Sequence, residues 1–395
     1  MLRQLKINGF KSIRQHDPIQ FGRVNLFIGG NGVGKSNILE ALGMLGACFG
    51  PDITKNELQK KGVRLSVPTL FKSAFKHSGL RINFDLSADF DHDVNYDVSI
   101  SASTTSDELN FFSEHLLSKK IKVFGRSNHG FSVKAGIDKR LIKDIKKTRG
   151  LWDRFQDITN LPSDQENELS TMAKFAIYSP QTAFLRGTDI ELNPVRPLGL
   201  NGGGLAYAAE TVLTLLNKHA KSNPAQHELF KEVVKLVWKP GWTDQVGVRP
   251  IDSSVVSSQV KTQEKALYFR DKFMNTSRNS LSAYDSSEGT LYLLFIAVLL
   301  LHPDSPKIFA LDNIDNALNP SVTKSLLETI IKTACDKKYR DSNVGPEQVF
   351  LTSHNPTSLD AFDIFDDEQR IFVVARDKDG STKVDRLQPP QNTTK

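Results

Sequence analysis

Between an apolar pentapeptide, Val24 to Ile28, and an apolar stretch, Asn37 to Leu45, the chain carries Gly29-Gly30-Asn31-Gly32-Val33-Gly34-Lys35-Ser36. These residues fit the pattern G-x-x-x-x-G-K-[ST], and their flanks read as a buried strand and a helix, which commits this part of the chain to a strand, a tight loop and a helix of an α/β fold. Glycines allow successive backbone N–H groups to point at the α- and β-phosphates of a nucleotide, and the helix N-terminus adds a favourable dipole. The expected ligands are therefore ATP and Mg2+. Asn31, Gly32, Gly34, Lys35, Ser36 and Asn37 are the candidate nucleotide-binding residues, with the Lys35 ammonium reaching the β- and γ-phosphates and the Ser36 hydroxyl on the metal.

Nearly 280 residues later, Lys307 to Leu311 forms a short apolar run that ends in Asp312, a strand delivering a carboxylate that would hold Mg2+ through water. About 25 residues before it, Ser286-Ser287-Glu288-Gly289-Thr290 opens the very apolar helix Leu291 to Leu301. Ser287, Glu288 and Gly289, with the amides of that helix start, are candidates to grip a γ-phosphate. A further buried strand, Gln348 to Thr352, leads to Ser353-His354-Asn355-Pro356, where His354 stands as a γ-phosphate sensor. Together these four elements, in this order, define the site.

Length and composition fit that reading. The 395 residues, 39% hydrophobic, are enough for a full core. The longest apolar run, Leu291 to Leu301, is too short for a bilayer, which takes roughly 20 residues, and the N-terminus lacks the pattern of a signal peptide, so no membrane role and a cytoplasmic location are expected. Cys48 and Cys335 stand far apart and support neither a disulfide nor a zinc site, only core packing. The formal charge of +6 is uneven: Lys119 to Gly150 holds eleven Lys or Arg against Asp138 and Asp144, a local +9, which leaves 6 − 9 = −3 for the rest. Such a patch suits a phosphate backbone or an acidic partner, with Lys139, Arg140, Lys143, Lys146 and Lys147 lining one helix face for nucleic acid, and a merely solvated helix face is the alternative.

Along the chain, strands are predicted at Leu5 to Ile7, Ile82 to Leu86 and Val94 to Ile100, fully buried ones at Val24 to Ile28 and Ile371 to Val374, and helices near Glu108 to Leu117, Ala208 to His219 and Ser321 to Cys335. A loop is expected around Pro194 to Gly204. The organisation is one α/β core split by a long insertion: an N-terminal lobe over 1–101, a mixed insertion over 102–265, a C-terminal lobe over 266–387 and a polar tail over 388–395.

The opening Leu5-Lys6-Ile7-Asn8-Gly9-Phe10-Lys11-Ser12, taken with Gly29 to Ser36, resembles the N-terminal lobe of ABC-type ATPases of the SMC, RecF and OLD kind. That resemblance implies an ABC ATPase head whose nucleotide site closes when two copies meet, a homodimer or an assembly of dimers, and a phosphate contact from the basic residue Lys11. More narrowly, Leu281 to Gly289 and Thr352 to Pro356 are similar to the stand-alone AAA-family ATPases of prokaryotic antiviral defence operons such as Septu, in which the ATPase serves a separate effector, often a nuclease.

The departures shape the chemistry. The SMC-like pattern has Glu directly after the strand-end Asp to activate water; here Asn313 follows Asp312, and Asp315 is the nearest other carboxylate, so the candidate catalytic set is Asp312, Asn313, Asp315 and His354 and slow hydrolysis is expected. Sustained heptads for coiled-coil arms are missing, and no carboxylate cluster of a Toprim nuclease follows His354. Gln59 is the candidate for the Q-loop glutamine. Two functions remain open: a nucleotide-gated sensor subunit that controls an effector, or a RecF-like ATPase that clamps DNA with its basic segment. A transporter subunit fits the Gly9 to Ser12 entry and the long insertion poorly.

Overall fold

The computed structural model describes residues 1–15, 17–76, 82–103, 107–127, 129–133, 145–191, 194–261 and 263–389. The chain opens with β1 (Leu2–Phe10), β2 (Ile13–Gln15), β3 (Ile19–Gln20) and β4 (Val24–Ile28), then α1 (Lys35–Cys48) and α2 (Lys55–Lys60). A run of strands follows: β5 (Asn83–Phe90), β6 (Val94–Ala102), β7 (Leu109–Ser118), β8 (Ile121–Ser127) and β9 (Gly130–Val133). Next come α3 (Leu151–Phe155), α4 (Ser163–Ala173), β10 (Ala176–Tyr178), α5 (Thr182–Leu185), α6 (Leu205–Ser222) and α7 (Pro224–Val237). The C-terminal part holds β11 (Thr243–Pro250), β12 (Lys265–Asp271), β13 (Ser280–Ser282), α8 (Glu288–Leu301), β14 (Ile308–Leu311), α9 (Pro320–Cys335) and α10 (Lys337–Asp341). It ends in β15 (Gln348–Ser353), β16 (Gln369–Arg376) and β17 (Thr382–Arg386).

Among the described residues the strands form three sheets. The central one runs β10-β14-β15-β4-β16-β17, parallel except for the β16–β17 hairpin. Its strands come from both ends of the chain, so the split α/β core expected from the sequence is the one observed. Side chains of this sheet alternate between two apolar cores, as the period of two requires. Phe27, Ile308, Ala310 and Phe350 face the first with α1, whereas Leu26, Phe309, Leu311 and Leu351 face the second with α6 to α9. A sheet covered on both sides explains why these strands read as unbroken apolar runs. Burial on all sides of α8, from Thr290 to Leu301, likewise explains its lack of a polar face.

The second sheet, β2-β1-β5-β6-β7-β8-β9 with β3 on β1, is antiparallel, and strict alternation of buried and half-buried residues along β5 puts one face on the core and one toward solvent. It continues through residues 102 to 133, so this stretch extends the sheet that β1 begins. The third sheet, β11-β12-β13, leads directly into the start of α8.

Two expectations are corrected here. Glu108 to Leu117 is the strand β7, not a helix: its helix-forming Glu and Leu residues are overridden by pairing with β6 and β8 and by burial of Leu109, Phe111, Glu114 and Leu116. Arg126 of β8 meets the buried Glu114 carboxylate at 2.7 Å, so this basic residue belongs to the core and not to a surface patch. Ile371 to Val374 is not fully buried, because Val373 turns to a face that solvent reaches and is 42% exposed. Helix Ala208 to His219, the loop near Pro194 to Gly204, and the strand–helix–strand run from β14 through α9 to β15 agree with expectation. Lys139, Arg140 and Lys143, and the tail from 390 onward, lie outside the described residues. Cys48 is fully buried, and Cys335 half-buried. Among the described residues no helix is long and apolar enough to cross a membrane.

Candidate functional site

The end of β4 feeds the glycine loop, and α1 starts at Lys35. Gly34 has φ 110°, and a Cβ there would lie 2.1 Å from Thr382 Oγ1, so both the backbone sense and the space require glycine. The loop is braced from outside by a chain of donors. Asn37 Nδ2 donates to Ser12 Oγ (2.6 Å), Ser12 Oγ meets Thr382 Oγ1 (2.7 Å), and Thr382 donates to the Val33 carbonyl (2.8 Å). From β16, the Arg376 guanidinium donates twice to the Gly32 carbonyl, at 3.2 and 2.9 Å.

Inside the loop, Lys35 Nζ donates to the carbonyls of Gly29 (2.7 Å) and Gly30 (2.8 Å) and stands 3.1 Å from His354 Nδ1. Burial pushes its ammonium below the usual lysine range, and the carboxylates of Asp312 and Asp315 pull it back. The Ser36 hydroxyl donates to Asp312 Oδ2 at 3.0 Å, and Thr352 at the end of β15 donates to Asp312 Oδ1 at 2.5 Å. Parallel neighbours β14, β15 and β4 all end on the same side of the sheet, and for that reason Lys35, Ser36, Asp312 and His354 converge although their sequence separation exceeds 300 residues. Loops beyond the carboxyl ends of parallel strands are where such folds place ligands.

Asn313 adopts φ 57°, with its N–H donated to Thr352 Oγ1 at 2.8 Å. Asp315 turns to the segment after β15: its Oδ2 accepts from the backbone N–H groups of His354 (3.3 Å) and Asn355 (3.1 Å). Among the described residues its Oδ1 is buried without a hydrogen-bond partner. Lys11 is ion-paired with Glu40, one turn along α1 from Ser36, and Arg64 pairs with the same carboxylate while donating to Asn37 Oδ1 at 3.0 Å.

Beside Ser36 and Asp312 opens a cleft of about 830 Å³ that also takes in Glu40, Gln59, Gln181 and Glu191. Gln59, singled out from sequence, does lie there. Gln181 was not foreseen; it follows β10, which pairs with the Asp312 strand β14, and its Nε2 donates to Asn201 Oδ1 at 3.3 Å. The signal was the apolar run Phe175 to Tyr178 followed by Ser-Pro-Gln, too short to stand out in a mixed region. Donors in the cleft suit a hard divalent cation, since Ser36 and Asp312 offer oxygen alone and such an ion needs only one or two protein ligands beside phosphate. Among the described residues no group of three or more His, Cys, Asp or Glu is placed to hold a metal.

The remaining element stands apart. Ser287 caps α8, with Oγ accepting the Thr290 N–H at 3.3 Å, and both Ser287 and Glu288 are exposed. Gly289 runs close to the loop after β14, where a Cβ would lie 3.0 Å from the Ala317 carbonyl oxygen. Among the described residues, the hydrogen bonds of Ser286 to Thr290 run to Ser282, Ala283, Arg186 and Trp242, among themselves and into α8 from the Leu291 N–H onward, not to the glycine loop. The cap is therefore an open helix N-terminus on the surface.

A family model described as "AAA domain, putative AbiEii toxin, Type IV TA system" matches residues 24–360. No curated protein matches the chain. Among solved structures, the chain is similar to the SMC head domain from Thermotoga maritima, with 15% identity, coverage of 98% of this chain and 99% of that one, and a TM-score of 0.43. It is also similar to the Smc head domain with an extended coiled coil bound to the C-terminal domain of ScpA from Pyrococcus furiosus, with 13% identity, coverage of 98% and 96%, and a TM-score of 0.47.

Proposed function

This chain belongs to the AAA-domain family whose model spans residues 24–360, and we propose that it is an ATP-binding, slowly hydrolysing switch whose site is completed by a second copy. One observation carries this reading. Lys35, Ser36, Asp312 and His354 meet at one end of the sheet, while the α8 cap is exposed at Ser287 and Glu288 and, among the described residues, makes no hydrogen bond to them. A capped helix start with no ligand-binding partner of its own fits the γ-phosphate held by an opposing copy.

In this scheme the glycine-loop amides and Lys35 hold the β- and γ-phosphates, Lys35 exchanging the Gly29 and Gly30 carbonyls for phosphate oxygens. Ser36 and Asp312 would hold Mg2+, which would supply charge neutralisation at the phosphates, while Gln181 and Gln59 line the same cleft. His354 reads the γ-phosphate from beside Lys35. The Asp315 carboxylate, engaged by the His354 and Asn355 amides, positions that sensor loop and leaves water activation without a base. Asn313 orients water but takes no proton, so nucleotide acts chiefly as the ligand that keeps the dimer closed.

The closed dimer, in turn, controls a separate effector, a nuclease in a prokaryotic antiviral system. The family description, which names a toxin and a type IV TA system, supports a setting in which two components work together. A RecF-like DNA clamp is the second reading, favoured by the exposed Lys119, Lys120 and Lys122 at the β7–β8 turn and by Lys146, Lys147 and Arg149. The deciding experiment measures molecular mass by light scattering with and without ATP and Mg2+. Nucleotide doubles the mass, and Ser287→Phe prevents the doubling; a variant that still dimerises with nucleotide ends the opposing-copy reading.

A further inference from the structure

Trp242 stands just before β11, half-buried, with its ring against Phe269 of β12 at 5.9 Å between centroids. Its indole Nε1 donates to Thr290 Oγ1 at 3.2 Å. Thr290 is 4% exposed, on the first turn of α8, and its Oγ1 lies 2.7 Å from Ser287 Oγ, while its backbone N–H donates to the same Ser287 oxygen at 3.3 Å. Three groups on two separate elements are thus wired into one line that ends at the exposed cap.

The direction of the protons in that line matters. An indole N–H only donates, so Trp242 fixes Thr290 Oγ1 as an acceptor on one side. A hydroxyl that accepts a hydrogen bond becomes a stronger donor, which favours the Thr290 O–H pointing to Ser287. Ser287 Oγ then accepts twice from Thr290, once from the amide and once from the hydroxyl. Both of its lone pairs are then occupied, and among the described residues its own hydrogen meets no further acceptor. That hydrogen sits at a helix N-terminus, where an anionic oxygen is favoured.

We propose that Trp242 is a positioning residue that, through Thr290, commits the Ser287 hydroxyl to act as a donor toward a phosphate oxygen of the nucleotide held by the opposing copy. The inference rests on the opposing-copy reading above, and it ties the β11-β12-β13 sheet to the strength of dimer closure. A partner that moves this sheet would change how firmly nucleotide holds the dimer without touching the glycine loop.

The test is a double-mutant cycle on the full chain, reading nucleotide-dependent self-association by sedimentation with a non-hydrolysable ATP analogue and Mg2+. Trp242→Phe keeps the ring on Phe269 and removes only the N–H; Thr290→Val removes the hydroxyl at constant shape. A hydrogen bond of ordinary net strength is worth roughly 3-fold per site, and a symmetric dimer carries two sites, so each variant weakens association about 10-fold. The double variant Trp242→Phe with Thr290→Val is no weaker than Thr290→Val alone, and Thr290→Ser, which keeps the hydroxyl, restores wild-type association. Additive losses, or full association of Trp242→Phe while Ser287→Phe abolishes closure, would overturn the relay and leave the opposing-copy reading standing. Undiminished association of Ser287→Phe would instead remove both.

Discussion

Replacing Asn313 by Glu probes the site at its main chemical departure. The position directly follows Asp312, whose two oxygens are fixed by Ser36 at 3.0 Å and Thr352 at 2.5 Å, and its own N–H is anchored on Thr352 at 2.8 Å. Placed there, a carboxylate takes a proton from the attacking water, a contribution of about 10² to 10⁴ in rate. Against this gain stands the backbone. At φ 57° Asn is at ease, whereas Glu costs about 1 to 2 kcal/mol. Charged wholly to the transition state, 2 kcal/mol is roughly 30-fold, which leaves an increase of at least about 3-fold and, at the middle of the range, well over 10-fold. The assay is phosphate release at saturating ATP and Mg2+, with Asn313→Gln as the control. Gln has the length and backbone cost of Glu but no basic oxygen, so the Glu to Gln ratio isolates the carboxylate. The Glu variant's rate falls at acid pH as that carboxylate protonates, and the Gln variant's does not. Equal rates for the Glu and Gln variants would refute the argument, as would a loss of 100-fold or more in Asp315→Asn, which would place a working base at Asp315 already.

Lys35→Ala removes a cation held within 2.8 Å of two loop carbonyls and set to face phosphate; nucleotide affinity by titration calorimetry falls at least about 100-fold, and retention of binding would displace the glycine loop from the mechanism. Charge reversal at Lys119, Lys120 and Lys122 together flattens the salt dependence of any DNA binding and weakens it, measured by fluorescence anisotropy; unchanged binding returns these lysines to a solvated surface. Arg126→Met leaves the fully buried Glu114 without its 2.7 Å partner and costs about 3 to 5 kcal/mol of stability by denaturant melt, with nucleotide-loop geometry unaffected.

Legibility varied with the kind of interaction involved. The glycine loop, Asp312 and His354 were readable because each is a local pattern: a loop composition or a short apolar run that stops at a polar residue. Gln181 escaped notice because its strand, β10, has three residues and owes its place to pairing with β14. The helix expected at Glu108 to Leu117 failed because β7 is specified by pairing with β6 and β8, which lie outside its own ten residues and do not show in its local propensity. Asp315 was visible as a carboxylate, yet its use was not, since the two amides that occupy it belong to residues about 40 positions away.

By itself the sequence determined the chemistry on offer: which loop must be glycine, which cation and hydroxyl follow it, and which strand delivers a carboxylate, because those requirements are met by covalent neighbours. Tertiary structure alone decided who shares the site. Parallel pairing of β14, β15 and β4 brings Asp312, His354 and Lys35 to one end of a sheet and sets Asp315 against the His354 and Asn355 amides, while the packing of β11 places Trp242 against Thr290 beside the exposed Ser287 cap. These are outcomes of long-range packing, in which the partner of each group is set by burial of two apolar cores and not by its place along the chain.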